Sequence, residues 1–206
     1  MIVELRRYTL RPERRDELVE LFDKQFVESQ EELGMAVLGQ FRDLDRPDSF
    51  VWLRGFPDMA VRGRALREFY GGPVWRRHGP AANATMLDSD DVLLLNTILP
   101  PPTSPRDSHH SESLVTATIW YRDRPFDDAF AQWFAGLDAA AVAVLSTEYA
   151  ENNFPALPVR VGEHAFVWFT RFAAPTFGED IEVPERFGVT RTERLRLAPT
   201  ARSAFR

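Results

Sequence analysis

The sequence contains no cysteine. Disulfide frameworks and thiolate chemistry are thereby excluded. Lysine is nearly absent as well, Lys24 standing alone, so the basic residues are arginines and are scattered rather than striped. Histidine occurs four times, at His78, His109, His110 and His164. No apolar run approaches the roughly 20 residues that a membrane span needs. MIVELRRYTL, the N-terminal stretch, carries charges inside its apolar residues and does not resemble a signal peptide, so a cytoplasmic protein is expected. The formal charge of −6 over 206 residues argues against a nucleic-acid or anionic-membrane partner.

Catalytic signatures are missing too. There is no G-x-x-x-x-G-K-[ST], no G-x-G-x-x-G after a strand, no H-E-x-x-H and no G-x-S-x-G. His109 and His110 are adjacent in a polar stretch that reads better as a linker than as a metal site. DSDD at 88–91 lacks calcium-loop spacing and reads as a solvated turn. No cofactor is expected.

What is present is patterning. Ile2 to Leu10 alternates, with Val3 and Leu5 on one face and Glu4, Arg6 and Tyr8 on the other, as a strand does. Arg11 to Leu33 places apolar residues at three- and four-residue steps, predicting an amphipathic helix opened by Pro12 and closed by Gly34. Met35–Arg42 and Phe50–Phe56 read as a hairpin around the Asp45, Pro47, Asp48 turn. Asp58–Tyr70 reads as a helix capped by Asp58, and Asp91–Leu95 as a closing strand. The order β-α-β-β-α-β is the ferredoxin-like unit. Residues 99–112 form a Pro- and Ser-rich linker. The pattern then recurs: a strand over 114–121, a helix over 125–137, strands over 143–149 and 165–172, and a last strand over 191–197.

The two halves are copies. Ala36-Val37-Leu38 matches Ala143-Val144-Leu145, and Phe50-Val51-Trp52 with Phe56 matches Phe166-Val167-Trp168 with Phe172. Such self-similarity marks a repeat architecture. The expected fold is α+β: two tandem ferredoxin-like repeats, residues 1–98 and 113–198, joined by the linker and forming an intrachain α/β barrel. The second repeat carries about nine extra residues around NNFPALPVRVGE. It also loses its second helix at 175–188, a bare face that a second chain could cover in a homo-oligomer.

If the helices cover one face of each sheet, alternation divides the residues between two sides. The expectation is that Val3, Leu5, Val51 and Leu53 face the helices, while Glu4, Arg6, Tyr8, Phe50, Trp52, Arg54 and Phe56 point into the barrel. In the second repeat Thr116, Thr118, Trp120, Phe166, Trp168, Thr170 and Phe172 would point inward, without charges. A buried arginine needs a partner. Glu4 with Arg6 or Arg54 makes a structural ion pair on one reading. On the other, one arginine stays free to hold a carboxylate, phenolate or enolate oxygen.

One segment stands out: FYGGPVWRRHGPAANATM, residues 69–86, a connector too rich in rings. His78 can move protons near neutral pH, Tyr70 and Trp75 offer flat walls with polar tips, and Asn83 offers donor and acceptor. Equally, Phe69 and Trp75 could plug the open end of the barrel.

Taken together, Glu4-Leu5-Arg6-x-Tyr8-x-Leu10, Gln40-Phe41-Arg42, Phe50-Val51-Trp52-Leu53-Arg54-Gly55-Phe56, Phe69-Tyr70 with Trp75, and Ala82-Asn83 through Leu95 resemble the NIPSNAP family. The resemblance covers the first 98 residues and implies a dimeric α/β-barrel fold. Relatives across that superfamily include cofactor-free monooxygenases, isomerases and cyclases, and haem proteins. Haem would require an axial histidine, for which His78 is the candidate. The expected function is binding of a small aromatic or polyketide-like molecule. Catalysis would use His78 or Tyr8 for proton transfer and Arg54 or Arg6 for an oxyanion, with Glu4, Trp52, Tyr70, Trp75 and Asn83 completing the pocket. The alternative is a non-catalytic binding or oligomerising scaffold. A free proton acceptor beside a free arginine would mark the enzyme.

Overall fold

The computed structural model describes residues 1–106, 113–137, 139–173 and 181–206. His109 and His110, and the start of the 175–188 segment, lie outside them. Eight strands form one closed antiparallel barrel: β1 (Ile2–Leu10), β2 (Ala36–Asp43), β3 (Ser49–Phe56), β4 (Met86–Leu99), β5 (Ser113–Arg122), β6 (Ala143–Thr147), β7 (His164–Ala173) and β8 (Val189–Pro199). Around the barrel they run β1-β3-β2-β8-β5-β7-β6-β4. Each repeat contributes a 4-1-3-2 sheet, and the sheets join at β2–β8 and β4–β6. Matching positions of the repeats coincide: Trp52 on β3 pairs with Arg6, as Trp168 on β7 pairs with Thr118.

The helices are α1 (Arg15–Gln25), α2 (Glu28–Glu31), α3 (Met59–Gly71), α4 (Pro73–Thr85) and α5 (Asp128–Ala135). Asp58 caps α3, its Oδ1 accepting from Val61 N at 2.7 Å. The helix expected over 11–33 is shorter and split. Pro12 lies outside it because Glu13 takes the left-handed φ of 66° before Arg14 starts the turn, and Gly34, at φ 85°, follows the end of α2. The segment 69–86 is not a connector: Gly72 breaks the chain out of α3, and Pro73 at the first position restarts it as α4. DSDD is not a turn either, since β4 begins at Met86 and runs through it. In the second repeat a 3-10 turn, Glu185–Phe187, precedes β8.

The two faces of the sheet are the reverse of the expectation. Val3, Leu5, Val51, Leu53, Leu93, Leu95, Val115, Ala117, Ile119 and Val167 fill the barrel in one cluster. Tyr8, Phe50, Trp52 and Phe56 pack outward with Phe22, Phe26 and Phe69 from the helices, and Glu4, Arg6 and Arg54 share that face by alternation. In the second repeat Trp120, Phe166 and Trp168 pack outward on Phe130 and Phe134. The reason is width. A closed eight-stranded barrel has room for little more than branched aliphatic side chains, whereas the gap between sheet and helices is about 10 Å and takes rings and guanidinium groups. Phe69 and Trp75 therefore do not plug the barrel. One end is filled by Phe205, which meets Phe41 and Phe169 with ring centroids 5.9 and 5.5 Å apart. Around Tyr121, ion pairs among Arg7, Asp91, Arg160, Glu163, Arg191 and Glu193 join β1, β4, β8 and the segment before β7.

Candidate functional site

The site lies between the sheet and the helices of the first repeat. Glu4 is its centre and is fully buried. Its Oε2 accepts from Arg6 Nη1 at 2.8 Å and from Arg54 Nη2 and Nε at 2.6 and 3.1 Å. Its Oε1 accepts from Arg62 Nε, on α3, at 2.7 Å. Three buried guanidinium groups thus converge on one carboxylate, leaving the cluster with an excess of two positive charges. Burial alone would push the Glu4 carboxyl up, but Arg54, Arg6 and Arg62 outweigh it and hold the group well below the usual carboxylate range. Glu4 is therefore a fixed anion and a poor base.

The remaining donors of Arg6 and Arg54 meet hydroxyls, an amide oxygen and the Ser89 carbonyl, which Arg6 Nη2 reaches at 3.5 Å. Arg6 Nε donates to the Tyr8 hydroxyl at 3.1 Å. Arg54 Nη1 donates to Gln30 Oε1 at 3.1 Å and reaches Tyr70 at 3.5 Å. Gln30 is itself pinned by donating to the Phe26 carbonyl at 2.7 Å. The Arg54 guanidinium lies 4.9 Å from the Trp52 ring centre and 5.5 Å from that of Phe56, within cation–π range. Burial pushes the Tyr8 phenol up, so it serves as a donor rather than as a phenolate.

Beside this cluster is a cavity of about 20 Å³, lined among others by Tyr8, Phe22, Gln30, Trp52, Tyr70 and Trp75. That volume holds about one water. Trp75 from α4 crosses it edge-on to Tyr70, ring centres 4.7 Å apart. The indole N–H of Trp52 has no hydrogen-bond partner among the described residues, but the same is true of Trp168 in the solidly packed second repeat, so this feature alone marks no ligand. A larger groove of about 450 Å³ lies over residues 147–164, but its lining is surface-like, with Tyr149 58% and Val161 85% exposed.

Of the residues singled out by sequence, Glu4, Arg6, Tyr8, Trp52, Arg54, Tyr70 and Trp75 come together here, on the helix side instead of in the barrel. His78 does not: it is half-buried on α4 and does not line the cavity. Asn83 is exposed and borders a different depression with Asp88 and Asp90. From α4, Trp75 and Ala82 line the cavity, with buried Gly79 between them; His78, although only a three-residue step from Trp75, stands to the side of that line and is not among the lining residues. His164 is half-buried and meets the Tyr149 hydroxyl through Nδ1 at 2.9 Å. Arg62 and Gln30 belong to the site without any signal in the sequence, since nothing in a run of helical arginines or glutamines says which one turns inward. The expected combination of a free base with a free arginine is not what the geometry gives. Both sheet arginines engage Glu4.

Among the described residues the second repeat has no such cluster. At the positions matching Glu4, Arg6 and Arg54 it carries Thr116, Thr118 and Thr170, all buried. Among the described residues no group of three or more histidines and carboxylates is placed to hold a metal, and no helix is long and apolar enough to cross a membrane.

Comparison with known proteins bears on fold and family. No protein of curated function matches the chain. A monooxygenase candidate from Fusobacterium nucleatum is similar over 96% of this chain and 91% of its own, with a TM-score of 0.62 at 8% identity. One from Lactobacillus acidophilus is similar over 96% and 93%, with a TM-score of 0.57 at 13% identity. At such identities the likeness is one of fold alone. A NIPSNAP domain protein from Burkholderia xenovorans aligns over 51% of this chain and 99% of its own, at 15% identity and a TM-score of 0.43. The NIPSNAP family itself matches residues 3–99, the span from β1 to the end of β4 that holds every charged residue of the Glu4 cluster. Over this first repeat, and there alone, the chain matches the NIPSNAP family.

Proposed function

We propose that the helix-covered face of the first repeat binds a small aromatic molecule through an anionic or electron-rich oxygen. The observation that carries this is the excess of positive charge: three buried arginines on one carboxylate, beside a ring-walled cavity. A buried cluster left with two uncompensated charges is costly, and an anion entering beside it would offset that cost. The walls suit a planar ring, and the polar groups lining it, Tyr8, Gln30 and Tyr70, can donate, with the guanidinium groups of Arg6 and Arg54 directly behind them. Entry requires Trp75 to swing aside, because the cavity as it stands holds only about a water.

The enzyme reading, a cofactor-independent isomerase, cyclase or monooxygenase, rests on the same donors. They are suited to stabilising a developing oxyanion. Among the described residues no base is placed beside them: Glu4 is held ionised by its partners and Tyr8 is held protonated by burial. Any proton acceptor would come from the ligand or from water, so binding is the reading that the geometry supports best. The test is native mass spectrometry of freshly purified protein for a retained molecule, with calorimetric titration of salicylate. Binding by the wild type and its loss in Arg6→Met are expected. A wild-type protein that retains nothing and takes up no salicylate would overturn the reading.

A further inference from the structure

The extra residues of the second repeat reach across to the first. Residues 148–163 connect β6 to β7 where only residues 44–48 connect β2 to β3. They cross back to the first repeat, where Glu148 N and Arg160 N donate to the Leu94 and Val92 carbonyls of β4, both at 2.9 Å. At the tip, Asn152 Oδ1 and Asn153 Oδ1 accept from Arg62 Nη1 at 3.0 and 2.8 Å. This is the other side of the guanidinium whose Nε holds Glu4. Asn152 is fixed by donating to the Leu157 carbonyl at 2.9 Å, and Asn153 by donating to the Met59 carbonyl on α3. Next to them Phe154 stacks on Tyr70, centres 5.8 Å apart and planes within 22°. On α3, Gly63 makes the close approach feasible, because a Cβ there would stand 2.7 Å from Asn153 Nδ2.

From this we infer that the 148–163 insert is a working part of the first repeat's site. It clamps Arg62 with two neutral amide oxygens, and it backs the Tyr70 wall with Phe154. The neutrality of the clamp is the point. Amide oxygens fix the guanidinium without cancelling its charge, so the surplus that favours an anion survives. Arg62, Asn152, Asn153 and Phe154 are then positioning residues, supplied to one repeat by the other in the case of the last three. This rests on the binding reading above, and the experiment separates the two.

Salicylate affinity is measured by calorimetry, and hydrogen exchange of the Arg62 Nε–H by NMR, in wild type, Gly63→Ala, Asn153→Ala and Asn153→Asp. Gly63→Ala crowds Asn153 off its seat while improving helix propensity. Asn153→Ala removes half the clamp without crowding and stands in if the first variant fails to fold. Each should weaken salicylate at least tenfold and speed Arg62 Nε–H exchange at least tenfold. Asn153→Asp keeps the acceptor toward Arg62, loses the donation to the Met59 carbonyl and adds a negative charge, and it too should weaken salicylate at least fivefold. Wild-type affinity in Asn153→Asp would mean that the neutrality of the clamp is immaterial, and that result overturns the inference. Unchanged affinity or unchanged exchange in Gly63→Ala and Asn153→Ala overturns it as well. If the wild type binds no salicylate, the binding reading falls by itself, and the exchange rates alone decide the role of the insert.

Discussion

Glu4 and Asp23 are both buried carboxylates, and their surroundings push them in opposite directions. Glu4 is depressed by its three arginines. Its contribution to stability is therefore present above the unfolded carboxylate pKa of about 4.3, and it fades as pH falls through the depressed folded value. Glu4→Gln should cost about 3–5 kcal/mol at neutral pH by stranding three buried cations. Denaturant titrations from pH 7 to pH 3 should show the gap to wild type narrowing in acid. Replacing the whole cluster at once, by Glu4→Leu with Arg6→Met, Arg54→Met and Arg62→Met, is expected to restore or exceed wild-type stability, since apolar residues of similar volume often gain about 1–4 kcal/mol over a buried ionic group. That quadruple variant should no longer bind salicylate. Asp23 has the opposite sign. Burial raises it despite Arg202 and Arg42 nearby, and its neighbour Gln40 donates at only 3.4 Å. Its stabilising contribution is full below the unfolded pKa and is lost as pH rises through the raised folded value. Asp23→Asn should raise the neutral-pH melting temperature, with the advantage over wild type vanishing as pH falls.

At the scale of elements, α4 brings Trp75 to the cavity, and Gly79 sets the space behind that ring. A Cβ at Gly79 would stand 2.6 Å from the Trp75 ring. In Gly79→Ala the gain in helix propensity, about 1 kcal/mol, opposes the crowding, about 1–3 kcal/mol, so the net change in stability is small. The relief available to Trp75 is the cavity itself. Salicylate binding should therefore fall while the denaturation midpoint hardly moves. The elements also show what the sequence could and could not tell. Strand order, the repeat and the Asp58 cap were legible, because alternation, self-similarity and a capping residue are local signals. Which face lay inside was not. Period two separates Val3 and Leu5 from Glu4, Arg6 and Tyr8, but it does not say which set faces the barrel when both faces are buried. In β1 and β3 side-chain size carried that information: Val3, Leu5, Val51 and Leu53 along one parity, Arg6, Tyr8, Phe50, Trp52, Arg54 and Phe56 along the other; elsewhere the barrel also admits Phe41, Tyr121 and Phe169. The site was legible as a set of types, Glu4, Arg6, Tyr8, Trp52, Arg54, Tyr70 and Trp75. His78 has suitable chemistry, yet the turn of α4 decides its place. Asn152 and Asn153 lie some ninety positions from Arg62, a distance over which no pattern within either segment reports.

The whole molecule is one barrel with two seams, β2–β8 and β4–β6. Neither repeat alone covers the aliphatic face formed by residues such as Val3, Leu53 and Leu95. Residues 1–98 expressed alone should therefore not persist as a monomer. They are expected to pair with a second copy, β2 of one against β4 of the other, and sedimentation should give twice the mass. Equilibrium unfolding of the full chain should be a single transition by fluorescence and circular dichroism alike, because the shared interior leaves no half able to unfold independently.

The threonines at 116, 118 and 170 take on meaning here. In a symmetric pair of identical chains every substitution is made twice, so a costly ionic site exists in two copies and the stability it sacrifices is lost twice over. Fusion lifts that constraint. One copy can keep the demanding charges, while the other mutates freely toward a dry, ring-filled layer such as Trp120, Phe130, Phe166 and Trp168 form. The second repeat then acts as a stability reserve for the first, a division of labour within a single polypeptide. Its natural corollary is stoichiometric: one ligand per eight-stranded barrel, where an unfused relative with the site in each chain would take two.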